Sequence, residues 1–190
     1  MKIYNHCKIS NHKVYLNNEL LLSSINQEEP INTFLKSVYK HFEISYPKYF
    51  KMDNLSKLGF LATEVLLKKT PEINNYKPKN VGIIMANSNA SLDTDIKYHN
   101  TIKDKNNYFP SPALFVYTLP NIVIGEIAIK HKFSGENAFF VGKSYDHDFI
   151  KNYVQILIEN ESIDAAIFGW CDVFEDNYEA SIFFMGKELG

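Results

Sequence analysis

The sequence predicts an α/β fold in which helices cover a layered, mixed and mostly parallel sheet. Three short apolar runs, at residues 81–86, 137–141 and 165–169, carry this prediction, since runs of this kind form buried strands. Helical patterns separate the runs, and strands that alternate with helices build a sheet with right-handed crossovers. At 190 residues the chain is long enough to bury a core of its own.

The first third of the chain predicts a short β-hairpin followed by two amphipathic helices. The hairpin turns at residues 10–12, between two segments of strand character. Pro30 opens a helix whose apolar positions recur at helical spacing as far as Phe42, and Pro47 closes it. A second helix is predicted over residues 54–69, with leucines along one face.

The remainder of the chain predicts more helices and a last strand. Asp146 is predicted to cap the final helix, in which Phe149 is expected on the inner side. The last strand is predicted over residues 180–185, after a turn at 175–177. The helices are predicted over residues 92–102, from Ser111 to Pro120, over 122–131, and from Asp146 to about Asn160.

Composition narrows the classes of function. The net charge is −2, and all 20 basic side chains are lysines, so the chain lacks the arginine fork that suits phosphates and base edges. Nucleic-acid binding is therefore not expected. No apolar run is long enough for a membrane span, and the N-terminus lacks the apolar core of a signal peptide. Cys7 and Cys171 form no metal or disulfide motif, so a reduced, cytoplasmic protein is expected.

The stretch VGKSYDHDF, residues 141–149, crowds reactive side chains into a predicted strand-to-helix turn. A phosphate-binding loop would need a glycine where Asn137 stands, so that interpretation fails. Residues 146–148 could suggest a metal site, but three consecutive residues at a helix start point in different directions. We therefore expect no metal, no cofactor and a surface position for His147.

A third interpretation is that Ser144 is a nucleophile, because it lies where helix amides could stabilise an oxyanion. A nucleophilic serine needs a base, and the nearest candidate, His147, is only three residues away on the same segment. The glycines of a nucleophile elbow are also missing, since Asp146 stands in the place of one of them. In the absence of these features, Ser144 is interpreted as an ordinary serine in a turn.

Four blocks of sequence resemble the N-terminal half of β-ketoacyl (3-oxoacyl-ACP) synthases, the condensing enzymes of the thiolase superfamily. The most specific is SPALFVYTLPNIVIGEIAIKHKFSGENAFFV, where the Pro-Asn pair, a following Gly and the Ser-Gly-x-Asn turn fall in family order. The blocks are residues 46–67, 81–102, 111–141 and 165–173. The resemblance implies one thiolase-like half, layered α/β/α, with residues 46–190 as its core and residues 1–45 as an extension that begins with the hairpin.

The resemblance also assigns a position to the family's nucleophilic cysteine. Counting from Asn121, that position falls on Ser144, to within one residue, and Lys143 and Tyr145 flank it where the family uses small residues. Neither Cys7 nor Cys171 lies at this place. The half of the family that carries the catalytic histidines has no counterpart before Gly190.

These departures imply a synthase-like protein that does not condense by itself. The expected role is a non-condensing partner of a full synthase or of an acyl carrier protein in fatty-acid or polyketide biosynthesis, polyene pigments included, as a homodimer or heterodimer. Aromatic-rich strands at residues 138–141 and 181–185 are the candidates for pairing. The alternatives are an acyltransferase that uses Ser144 and one half of a split 3-oxoacyl-ACP synthase.

Overall fold

The computed structural model describes residues 1–188, so the last two positions of the predicted 1–190 domain lie outside the described residues. The strands are β1 (Lys2–Ser10), β2 (Lys13–Leu16), β3 (Glu19–Ser23), β4 (Val81–Asn87), β5 (Asn137–Val141), β6 (Ala165–Phe174) and β7 (Asn177–Gly186). The helices are α1 (Ile31–His41), α2 (Asn54–Lys68), α3 (Leu92–Asn100), α4 (Pro112–Val116), α5 (Ile122–His131) and α6 (His147–Glu159).

All seven strands belong to one mixed sheet with the order β3-β2-β1-β7-β6-β4-β5. The predicted layered α/β fold is confirmed. The parallel share of the sheet is smaller than expected, because only β4 pairs in parallel, with β5 and with β6. The remaining pairings are antiparallel, since β1, β2 and β3 form a meander and β6 and β7 form a hairpin.

The predicted N-terminal hairpin is present, and it continues into a third strand that the sequence analysis did not predict. Asn11 and His12 turn β1 into β2, and both have left-handed backbone angles, with φ of 48° and 56°. Asn17 and Asn18 repeat this geometry between β2 and β3. Such two-residue turns match the twist of paired strands, which is why asparagine is favoured in them.

Helices cover the two faces of the sheet unequally. The larger core lies between the sheet and α1, α2 and α5, and the leucines of α2 fill its centre, as their spacing predicts. The Asp53 side chain caps α2 by accepting a hydrogen bond from the Ser56 amide at 2.9 Å. The smaller core lies under α6, whose inner side chains Ile150, Val154 and Ile158 pack on β4 and β6.

The two strands proposed for pairing differ in their position. β5 is an edge strand, paired with β4 on one side only, and its side chains are half-exposed rather than buried as expected. β7 lies inside the sheet with β1 and β6 on either side, so residues 181–185 have no free edge. This corrects the second of the two pairing candidates.

Candidate functional site

The turn between β5 and α6 contains the residues that the sequence analysis singled out. Gly142 fastens this turn to the neighbouring strand, because its amide donates to the carbonyl of Asn87 at 2.9 Å. β4 and β5 are parallel, so the turn lies at the carboxyl edge of the sheet. Ligands of open α/β sheets bind at this kind of edge.

Ser144 is exposed in the turn and lines a cavity of about 360 Å³. A volume of this size falls in the range of small-molecule sites. The wall combines apolar side chains with polar groups of the turn in about equal measure. It is lined by Ala86, Phe140, Val141, Gly142, Lys143, Ser144, Asp146, Phe149, Ile150 and Trp170.

The ring of His147 contacts Tyr145 and Phe183, and no hydrogen bond joins it to Ser144 among the described residues. Its Nδ1 lies 3.0 Å from the hydroxyl of Tyr145, and its ring packs against Phe183 with centroids 4.8 Å apart. The expectation of a surface position for His147 is therefore wrong: it is half-buried against the sheet. The sequence offered no sign of this, because Phe183 lies in the last strand.

The start of α6 is already occupied by carboxylates. Asp146 caps the helix as predicted, accepting a hydrogen bond from the Phe149 amide at 2.9 Å, and Asp148 lies in the first turn. Their negative charge offsets the positive end of the helix dipole. A nucleophile at Ser144 consequently gains little from this helix. Phe149, predicted on the inner side, is 49% exposed and lies at the rim of the cavity.

The residues that flank Ser144 point in different directions. Lys143 is exposed at the mouth of the cavity. Tyr145 turns inward and stacks on Trp170 with ring centroids 5.5 Å apart. Burial raises the pKa of Tyr145 to about 12, so its hydroxyl keeps its proton at neutral pH.

Neither cysteine is available for chemistry at this site. Cys7 in β1 and Cys171 in β6 are both free thiols with no exposed surface. Burial raises the pKa of both thiols above the ordinary range, so neither forms a thiolate readily.

Asp172 is a residue of this edge that the sequence analysis missed. Its carboxylate accepts hydrogen bonds from the amide and hydroxyl of Ser88 and from the amide and side chain of Asn89, at 2.7–3.2 Å. It therefore fixes the loop after β4. The only signal in the sequence is a carboxylate near the end of an apolar strand, opposite a polar turn.

Within residues 1–188, no group of three or more His, Cys, Asp or Glu side chains is arranged to hold a metal ion. Over the same residues, no helix is both long and apolar enough to cross a membrane. A larger cavity, of about 810 Å³, opens beside the β6–β7 hairpin and the start of α1, and carboxylates line much of it. Trp170 lines both cavities.

The sheet, its two helical layers and the turn before α6 define the thiolase-like fold of ketosynthases, as the resemblance predicted. No family model matches the sequence, and no curated protein is similar to it. The ishigamide ketosynthase/chain length factor superposes with a TM-score of 0.69 at 13% identity. That alignment covers 96% of this chain and 60% of the other, so the chain spans about three fifths of that protein's length.

Two further complexes show the same fold. One is the ketosynthase ApeO with its chain length factor ApeC from Xenorhabdus doucetiae, with a TM-score of 0.60 at 10% identity over 100% of this chain and 79% of that one. The other is AntDE:AntF, a type II polyketide synthase acyl-carrier protein in complex with its ketosynthase bound to the hexaketide. It has a TM-score of 0.59 at 13% identity over 97% of this chain and 62% of that one.

Proposed function

We propose that this protein is a non-condensing, ketosynthase-like partner subunit that binds a full synthase in fatty-acid or polyketide biosynthesis. The observation that carries the proposal is the turn before α6, where the resemblance places Ser144 at the nucleophile position and the Nδ1 of the nearby His147 contacts Tyr145. The structural neighbours support the proposal, because they are ketosynthases in complex with a chain length factor or with an acyl-carrier protein.

The chemistry of the site favours a partner over a condensing enzyme. Claisen condensation needs a thiolate to hold the acyl group and bases to drive the reaction. Among the described residues the thiols of Cys7 and Cys171 are buried, and the imidazole beside the turn, His147, is bonded to Tyr145. Two proteins that share a fold do not share an activity when their reactive side chains differ.

β5 is the proposed docking edge for the synthase. Its outer side is unpaired within the described residues, and such an edge can accept a strand from another chain. Val141, at its end, is 58% exposed, and Phe149 packs on Phe140 of the strand while remaining 49% exposed. An apolar strip beside free backbone groups suits a partner strand that brings apolar side chains of its own.

Co-expression with the ketosynthase and the acyl carrier protein encoded nearest to this gene tests the proposal. We expect the wild-type chain to co-purify with the ketosynthase, and Val141→Lys to weaken the complex at least tenfold. Leu20→Lys is the matched control, because Leu20 is 51% exposed on β3, the opposite edge strand of the sheet. If Leu20→Lys weakens the complex as much as Val141→Lys does, β5 is not the docking edge. If the chain binds neither the ketosynthase nor the acyl carrier protein, the partner role is rejected.

A second candidate function is acyl transfer through Ser144, which the 360 Å³ cavity beside its hydroxyl favours. Incubation with acyl carrier protein thioesters and intact-mass spectrometry would test it. One acyl group per chain, absent from Ser144→Ala, is the expected result for an acyltransferase. An unmodified wild-type chain, or an adduct that persists in Ser144→Ala, rejects it.

A further inference from the structure

Two histidines from different elements contact one phenylalanine ring on the sheet face that α6 covers. The ring of His6, in β1, stacks on Phe183 of β7 with centroids 4.0 Å apart and an interplanar angle of 5°. His147, in the first turn of α6, approaches the same ring at 4.8 Å. The Nε2 of His6 also lies 2.8 Å from the hydroxyl of Ser181. The beginning of α6 is therefore held to β1 and β7 through this cluster.

Tyr145 connects the cluster to the cavity at Ser144. Its hydroxyl lies 3.0 Å from Nδ1 of His147, and its ring stacks on Trp170, which forms part of the cavity wall. The contacts run without a break from His6 through Phe183, His147 and Tyr145 to that wall. A displacement of the first turn of α6 would consequently change the cavity.

The charged groups around His6 disfavour a second positive charge. Lys8 follows it in β1, and Glu179 of β7 pairs with Lys8 at 2.7 Å, so that carboxylate is already engaged. His147 and Tyr145 face the cluster from α6 and the turn before it. Burial, the nearby Lys8 and His147 together hold the pKa of His6 at about 4.

We propose that the His6–Phe183–His147 cluster is an acid-sensitive latch, which releases the first turn of α6 and loosens the cavity at Ser144 when His6 takes up a proton. A charged His6 ring in the closed cluster would be repelled by Lys8 and would lose its hydration. A charged His6 would gain a contact with the face of Phe183, but desolvation and Lys8 outweigh it.

The direction of the effect follows from proton binding in the two states. The closed latch keeps His6 neutral down to about pH 4, whereas an open latch leaves an imidazole with its ordinary pKa of about 6.5. Between these values the open state binds more protons, so the closed state loses stability as the pH falls. From pH 7 to pH 5 the open population should rise about tenfold, after allowance for the solvent screening of a half-buried ring.

Hydrogen exchange of the Phe149 and Ile150 amides, corrected for the intrinsic exchange rate, tests the latch. Both amides bond to Asp146, so every protein in the comparison carries Asp146→Asn to remove the titration of that cap. We expect exchange at pH 5 to be about tenfold faster than at pH 7, while amides of α2 do not change. His6→Gln, which keeps a polar side chain but cannot titrate, should abolish the response.

His41→Gln is the matched control, because His41 is exposed in the last turn of α1 and should leave the response intact. An unchanged response in His6→Gln, or no response in the parent, overturns the proposal. If His6→Gln does not fold, His6→Asn is measured in the same way. A proton-NMR titration of the His6 ring gives an independent reading: a midpoint well below 6 supports the latch, and a midpoint near 6.5 rejects it.

Discussion

The ring of Tyr145 and the indole of Trp170 stack with centroids 5.5 Å apart, across the edge of the sheet at which Ser144 lies. Tyr145 is the bulky residue directly after Ser144. In the fold its side chain points away from Ser144 and builds a wall with a residue of β6. Two aromatic side chains from distant parts of the chain therefore set the shape of the candidate site, and the hydroxyl of Ser144 remains open to the cavity.

Gly169 precedes Trp170 in β6, and we expect Gly169→Ala to be strongly destabilising. Its φ is +148°, and a Cβ built there would lie 2.0 Å from the backbone oxygen of Ser181 in the paired strand. The clash is with backbone in the middle of the sheet, so it cannot be relieved by a side-chain movement. The free energy of unfolding in urea should fall by about 3 kcal/mol or more.

Gly125→Ala is the matched control for this change. Gly125 lies in α5, where nothing lies within 4 Å of an added Cβ. Alanine is the better helix former, so the same substitution should stabilise the protein by about 0.5–1 kcal/mol. If both substitutions change the free energy of unfolding by the same amount, the close approach of β6 and β7 does not require glycine at position 169.

Asp172→Ala should loosen the loop after β4. The carboxylate accepts four hydrogen bonds from Ser88 and Asn89, and its removal leaves two amide donors without their acceptor. We expect a loss of about 2 kcal/mol in unfolding free energy and faster hydrogen exchange at both amides. Asp176→Ala, in the exposed β6–β7 turn, is the control and should change neither quantity. Unchanged protection of Ser88 and Asn89 in Asp172→Ala would contradict the assignment.

Elements with strong local signals were predicted well from the sequence. Pro30 opens α1, the Ser111-Pro112 pair begins α4, and the Asp146 cap begins α6, each within about one residue of its predicted place. These signals are local, because a proline or a capping carboxylate acts on the backbone of its own segment. Strand β3, which is not among the predicted elements, has a local signal as well, since Asn17 and Asn18 form the hairpin turn before it.

Local signals do not predict where a strand lies in the sheet. They also do not predict which side chains meet at the candidate site. β5 is rich in aromatic residues and is expected to be buried, yet it lies at the edge of the sheet, where its side chains are half-exposed and one side stays open. His147 was placed on the surface because its partner, Phe183, is 36 residues later in the chain. Such contacts depend on the strand order, which periodicity does not specify.

Glu64 should make the stability of the protein depend on pH in the acid range. It is buried in α2 and binds both Lys130 and His131 of α5. Burial alone would raise the pKa of Glu64, but the hydrogen bonds from His131 and Lys130 outweigh burial and lower it. A carboxyl whose folded pKa is lowered stabilises the protein above its ordinary pKa and loses that effect as the pH falls through the folded pKa.

Glu64→Gln should therefore cost about 2 kcal/mol of unfolding free energy at pH 7 and progressively less below about pH 4.5. Urea unfolding at pH 7, 5 and 3.5 measures the difference between wild type and variant. Glu159→Gln, an exposed glutamate at the end of α6, should follow the wild type at every pH. A difference for Glu64→Gln that does not shrink with acid would contradict the charge-based explanation.

The thiols of Cys7 and Cys171 should be inert in the folded protein. Both are fully buried, and burial raises the pKa of each thiol, so both the access and the thiolate that a reagent needs are missing. Ellman's reagent at pH 8 should label neither cysteine in the native state and both after unfolding. A Ser144→Cys variant should react at once, because position 144 is exposed in the turn. This variant is the positive control for labelling of the folded protein. Rapid labelling of the wild type would mean that the larger core, which contains both thiols, opens, and that a thiol is available for chemistry.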